Sequence, residues 1–164
     1  MNLLLIRHGE AVDDSDGQGD GARWLTAKGR RVTREVAAHV AKHHPPSVVV
    51  TSPLVRATQT AEIVAGALGL EGGVVVDSNL ASGDVAGVLR SLAQHRGHGT
   101  VAAVGHEPTL SILVQRLLED HRWPGFEKSG VCALKWHADG RAHFQWALLP
   151  KKLRVVDDLA KFHE

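Results

Sequence analysis

Cysteine is almost absent from this sequence: Cys132 is the only one among 164 residues. A lone cysteine forms no intrachain disulfide and builds no cysteine metal cluster, which is compatible with a reducing compartment. Aromatics are also scarce. With four Trp, three Phe and no Tyr, stacking platforms for single-stranded nucleic acid are not expected. No apolar run approaches the ~20 residues of a membrane span. The run Leu3-Leu4-Leu5-Ile6 is short, follows no basic segment and stops at Arg7, unlike a secretory leader. An excess of one charge is missing as well: 19 Lys and Arg face 18 Asp and Glu, for a formal net charge of +1. That balance points away from nucleic acid, and Lys28, Arg30, Arg31 and Arg34 read as a solvated helix face. The expectation is a cytoplasmic protein with neither a membrane nor a nucleic acid as partner.

What is present fits one globular domain over residues 1–164, since 43% of the chain is hydrophobic. Histidine is abundant, with 11 residues. His39 and His43 stand four apart, but no zinc-type motif surrounds them, so surface positions are expected and no metal site. Asn2 to Ile6 reads as a buried strand. Val12 to Ala22, rich in Asp, Ser and Gly, reads as a loop. Thr26 is placed to cap a helix from Ala27 to about His43, stopped by Pro45-Pro46. Val48 to Thr51 is a second strand. A second helix starts at Pro53, carries an apolar stripe through Leu68 and ends at Gly69. Val74 to Val76, a helix marked by Val85 to Leu92, Val101 to Val104 and a helix after Pro108 continue the alternation. After Gly125 the period changes to two, around an Asp139-Gly140 hairpin signal. The expected fold is three-layer α/β/α, with a mostly parallel central sheet and a C-terminal β-hairpin.

Three polar clusters follow strands in this reading: Arg7-His8-Gly9-Glu10, Ser52 to Ala57, and Gly105-His106-Glu107-Pro108. Ligands of open α/β sheets bind beyond the carboxyl ends of strands. Two histidines and two arginines meeting there suit a doubly negative phosphoryl group, because guanidinium forks match phosphate oxygens. Taken singly, each residue has an ordinary explanation as a strand-end, solvated or capping group. Ser52 and Thr58 are explained as well by capping or core packing.

The ordered set Arg7-His8-Gly9, Leu25-Thr26-x-x-Gly29, Ser52-Pro53-Leu54-x-Arg56-Ala57-x-Gln59-Thr60-Ala61 and Gly105-His106 resembles the histidine phosphatase, or phosphoglycerate mutase-like, superfamily. The resemblance implies that His8 attacks phosphorus and becomes phosphohistidine. It also implies that Arg7, Arg56 and His106 bind the phosphoryl oxygens, with no metal and no cofactor. A general acid is expected among Asp84, Glu107 and Glu10, in that order. The short connections, with Ser82-Gly83-Asp84-Val85 and the terminal hairpin, resemble the SixA-type phosphohistidine phosphatases. The implied partner is then a phosphorylated histidine phosphotransfer domain. One alternative is a small-molecule phosphomonoesterase, for which Arg23 is the best extra cation. Another is a non-catalytic phosphoprotein-binding module, which would not require a nucleophile.

Overall fold

Leu3 and Leu5 face one side of the first strand, Leu4 and Ile6 the other, and all four are buried. A strand buried on both faces needs cover on both, so the chain places helices above and below a sheet. The computed structural model describes residues 1–70 and 72–163. Its elements run β1 (Asn2–Arg7), α1 (Ala27–His43), β2 (Val48–Thr51), α2 (Val55–Leu68), β3 (Val74–Val76), α3 (Val85–Ala93), β4 (Thr100–Gly105), α4 (Thr109–Leu118), β5 (Val131–Trp136), β6 (Ala142–Leu149) and β7 (Arg154–Val156). Short 3-10 turns include Asp20–Ala22 and Ser78–Ala81.

The strand order is β3-β2-β4-β1-β5-β6-β7. β3, β2, β4 and β1 pair in parallel, while β5, β6 and β7 add on antiparallel to their neighbours. The three layers and the terminal hairpin match the sequence expectation. The sheet is mixed rather than mostly parallel in its pairings, because β7 adds a third antiparallel pair. That strand is only three residues long, too short for its alternation to be read.

α1 and α2 bury Val36, Ala37, Val40, Ala57, Ala61 and Val64 against the Leu4 and Ile6 face. α3 and α4 bury Val88, Leu92, Leu110, Leu113 and Val114 against the Leu3 and Leu5 face. Thr26 caps α1, its Oγ1 accepting from the Gly29 amide at 2.9 Å. α2 begins at Val55 rather than at Pro53, with Leu54 as its N-cap, and ends at Gly69 in the left-handed region (φ 66°). Among the described residues no helix is long and apolar enough to cross a membrane.

β4 lies between β1 and β2, so the carboxyl ends of all three stand side by side, with Arg7 opposite Gly105 and Thr51 opposite Val104. β1 leads over β4 to β2 while β4 leads, through α4, to the other side of β1, which makes this a topological switch point. β5 runs the other way, pairing Asn2 with Lys135. The hairpin histidines His137 and His143 therefore lie at the amino end of β1. They bond to each other there at 2.8 Å, far from the switch point.

Candidate active site

His8 follows the last residue of β1 and is 8% exposed. Its amide donates to the Gly105 carbonyl at 3.1 Å, extending the β1–β4 ladder by one residue. Two contacts assign the ring tautomer. Nδ1 lies 2.7 Å from the Gly9 carbonyl oxygen, which only accepts, so Nδ1 carries the proton. On the other side the Arg56 Nε–H donates to Nε2 at 3.3 Å, which requires a lone pair there. Burial pushes the ring down to about 4 from its ordinary 6.5, helped by His106, Arg56 and Arg7, while the Gly9 hydrogen bond opposes the shift. At neutral pH His8 is thus an uncharged imidazole whose Nε2 carries a lone pair, shared with the Arg56 Nε–H.

Arg56 sits in the first turn of α2 and is 7% exposed. Its backbone is tied to the segment carrying His8 through Thr60. That hydroxyl donates to the Arg56 carbonyl at 2.7 Å and accepts from the Gly9 amide at 3.0 Å. His106 follows β4, its ring centroid 5.1 Å from that of His8. His106 Nε2 lies 2.7 Å from Ser52 Oγ, and Ser52 Oγ also accepts from the Leu54 amide at 3.2 Å. Burial and then Arg56 and Arg7 push the His106 ring down to about 4, with Asp20 opposing. Arg7 donates from Nη1 to the Phe126 carbonyl at 2.7 Å. Phe126 is itself fixed by packing edge-on against Trp123 at 4.9 Å between centroids.

Two buried polar atoms in this group, Arg7 Nε and His106 Nδ1, have no hydrogen-bond partner among the described residues. Buried polar groups without partners are uncommon, and here a bound polar group would supply the missing ones. Two guanidinium groups and two neutral imidazoles gathered in one place are chemically suited to a doubly negative oxyanion.

The structure brings together Arg7, His8, Arg56 and His106. The three carboxylates named from the sequence are engaged elsewhere. Glu107 holds the start of α4, accepting from the Ser111 amide at 3.1 Å and the Ser111 hydroxyl at 2.5 Å, and meets the Phe126 amide at 3.5 Å. Glu10 accepts from the Thr26 hydroxyl at 2.9 Å. Asp84 is exposed ahead of α3, 3.8 Å from Arg90. The carboxylate that does reach the group is Asp20, from the loop before α1. Arg56 donates from Nη2 to its Oδ2 at 2.9 Å and from Nη1 to its backbone carbonyl at 2.8 Å. Arg23 is bound to the same residue, Nη1 to Oδ1 at 3.0 Å, and to the Val12 carbonyl at 2.6 Å. Sequence reading passed over Asp20 because Asp13, Asp14 and Asp16 share its loop and no periodicity separates them. Thr58, by contrast, only bonds back to the Val55 carbonyl at 2.9 Å.

The chain and its fold have known relatives. Phosphohistidine phosphatase SixA of Escherichia coli (strain K12) is 29% identical over 162 residues, covering 95% of this chain and 98% of its own. The solved structure of the protein histidine phosphatase SixA complexed with tungstate matches at a TM-score of 0.85 and 29% identity, over 94% of this chain and 100% of that one. The alpha-ribazole phosphatase of Shigella flexneri, 20% identical, shares the fold at a TM-score of 0.71 over 97% of both chains. The fold is thus phosphoglycerate mutase-like. The model of the histidine phosphatase superfamily (branch 1) matches residues 3–84, the stretch that holds Arg7, His8, Asp20 and Arg56, and the chain belongs to that superfamily.

Proposed function

We propose that this phosphatase removes the phosphoryl group from phosphohistidine on a phosphotransfer protein, through a covalent intermediate on His8 and without a metal. The observation that carries the reading is the tautomer of His8: Nδ1 is held by Gly9 while Nε2 faces Arg56. In the first step Nε2 bonds to phosphorus in line with the leaving imidazole. The leaving ring carries a proton from solvent on its distal nitrogen, so when the P–N bond breaks its electron pair returns to the proximal nitrogen and a neutral imidazole departs. Water then attacks phosphorus and gives its proton to solvent, the bond to His8 breaks with its electron pair returning to Nε2, and orthophosphate leaves. Arg7 and Arg56 offset the charge on the transferring group in both steps, the part a metal plays elsewhere. Ser52 donating its hydroxyl proton to His106 Nε2 leaves Nδ1–H to bond a phosphoryl oxygen.

The choice of leaving group follows from the carboxylates. A protonated imidazole leaves readily from phosphorus, so no strong general acid is required, whereas an alkoxide needs one. Glu107 and Glu10 are bonded to other groups, and Asp84 lies exposed beside Arg90. The connection to α3 is one 3-10 turn, with Ser82, Gly83 and Asp84 exposed, which supports a site open to a protein surface. Arg23, the extra cation a small ester would use, is bonded to Asp20 and Val12. The test is phosphate release in chelator from a histidine-phosphorylated phosphotransfer domain and from sugar and glycerate phosphates. Faster release from the phosphoprotein is expected. Faster release from one small ester moves the assignment to a metabolic phosphatase, and loss of turnover in chelator removes metal independence.

A further inference from the structure

Arg56 has a long, flexible side chain, yet only its Nε meets the nucleophile, at 3.3 Å. Both terminal nitrogens belong to Asp20, one bonded to the carboxylate at 2.9 Å and one to the backbone carbonyl at 2.8 Å. Asp20 is held in turn. Arg23 bonds its second carboxylate oxygen at 3.0 Å and anchors the loop through the Val12 carbonyl at 2.6 Å. The turn at Asp20 is entered through Gly19 at φ 97°, a conformation that favours glycine. A Cβ added at its Gly21 would reach van der Waals contact with Leu54, the N-cap residue of the helix that carries Arg56.

We propose that Asp20 is a positioning residue for phosphoryl transfer, holding the Arg56 guanidinium by its far end so that Nε faces Nε2 of His8. The proposal rests on the reading of His8 as nucleophile and Arg56 as phosphoryl ligand. Two alternatives for Asp20 fit the geometry less well. A plug mimicking phosphate would compete for the nitrogen beside the nucleophile, and Asp20 leaves that nitrogen to His8. A general acid would be protonated, whereas Arg23 and Arg56 hold the Asp20 carboxyl below its ordinary range.

The experiment compares the unaltered chain with Asp20→Ala and Asp20→Asn by two readouts: titration of the His8 ring by NMR and steady-state phosphate release. Arg56, Arg7 and His106 are the charged and titratable groups that depress the His8 ring. Releasing Arg56 therefore moves the His8 midpoint up toward its ordinary value in Asp20→Ala. In the same protein kcat falls roughly 10- to 100-fold with KM altered less than about threefold, the signature of a misplaced transition-state group. Asp20→Asn, whose amide oxygen still accepts from Nη2, recovers most of the rate and the low midpoint. A His8 midpoint that stays or falls in Asp20→Ala is what removing a negative charge alone would produce, and it overturns the proposal. A lower KM with undiminished kcat overturns it in favour of a plug. The ring titration needs no turnover. If the unaltered chain releases phosphate from no substrate, the phosphatase reading fails, while the titration still decides whether Asp20 holds Arg56.

Discussion

Ser52 Oγ and His106 Nε2 lie 2.7 Å apart, joining the residue after β2 to the residue after β4. The bond is possible only because those strands are neighbours, and it fixes which ring nitrogen of His106 is left for a ligand. Ser52→Ala is expected to lower kcat/KM by roughly 2- to 10-fold, the worth of one hydrogen bond, and to lower stability by about 1–3 kcal/mol because the half-buried Leu54 amide and His106 ring lose a partner. An unchanged rate would show that His106 does not depend on the hydroxyl.

His8→Ala is expected to lower phosphate release by on the order of 1,000-fold or more, as for other enzymes that lose a covalent nucleophile. Orthophosphate binding should survive, since Arg7, Arg56 and His106 remain. Phosphate release that persists in the variant would remove His8 from the mechanism and leave a different nucleophile to be found.

The pH dependence has a definite sign. His8 and His106 both sit near 4 in the folded chain against an ordinary 6.5. Between those values the unfolded chain binds more protons than the folded one, so stability is full above pH 6.5 and is lost as pH falls toward 4. Together the two rings are expected to remove on the order of a few kcal/mol across that window. Urea unfolding at several pH values measures the loss, and NMR titration of the rings measures the midpoints. A midpoint near 6.5 for either ring contradicts the burial argument.

Gly29 stands where α1 passes beneath the loop that follows His8. A Cβ there would meet the Glu10 carbonyl oxygen at 2.1 Å, a collision with backbone rather than with a side chain able to move. Gly29→Ala is expected to destabilise the fold by about 1–3 kcal/mol and to slow turnover by shifting the 8–10 segment. Thermal unfolding and phosphate release check both halves, and a variant as stable as the parent would refute the close approach.

Glu107→Ala separates a structural role from a chemical one. Loss of the carboxylate leaves the Ser111 amide without its side-chain cap, which is expected to cost about 1 kcal/mol of stability. Phosphohistidine hydrolysis should persist in Glu107→Ala and in Asp84→Ala, because the leaving imidazole needs no strong acid. Equal and severe loss of phosphohistidine and phosphomonoester hydrolysis in both proteins would overturn that account.

Arg7, His8, Arg56 and His106 were legible in the sequence as an ordered set, because their motifs lie at or just past the ends of short apolar strands and match the superfamily pattern, and most elements were legible from their periods. Gly29 was visible only as part of a pattern, since nothing local reveals that the Glu10 carbonyl crosses it. Glu107 and Asp84 had the right residue type beside the right motifs. Where each carboxylate points is decided by Ser111 and by the exposed turn before α3. The loop holding Asp20 carries no period at all, so its one aspartate that meets Arg56 could not be told from its neighbours.

The sequence by itself determined the strands, the helices and the identity of the charged groups at their ends, because backbone propensity and burial act over a few residues at a time. Only the tertiary structure decided that β4 enters between β1 and β2. That placement brings Ser52 to His106, Arg56 to His8 and Asp20 to Arg56. These contacts link residues 54, 48 and 36 positions apart, and packing of the two helical layers on the sheet, not any local preference, sets such distances.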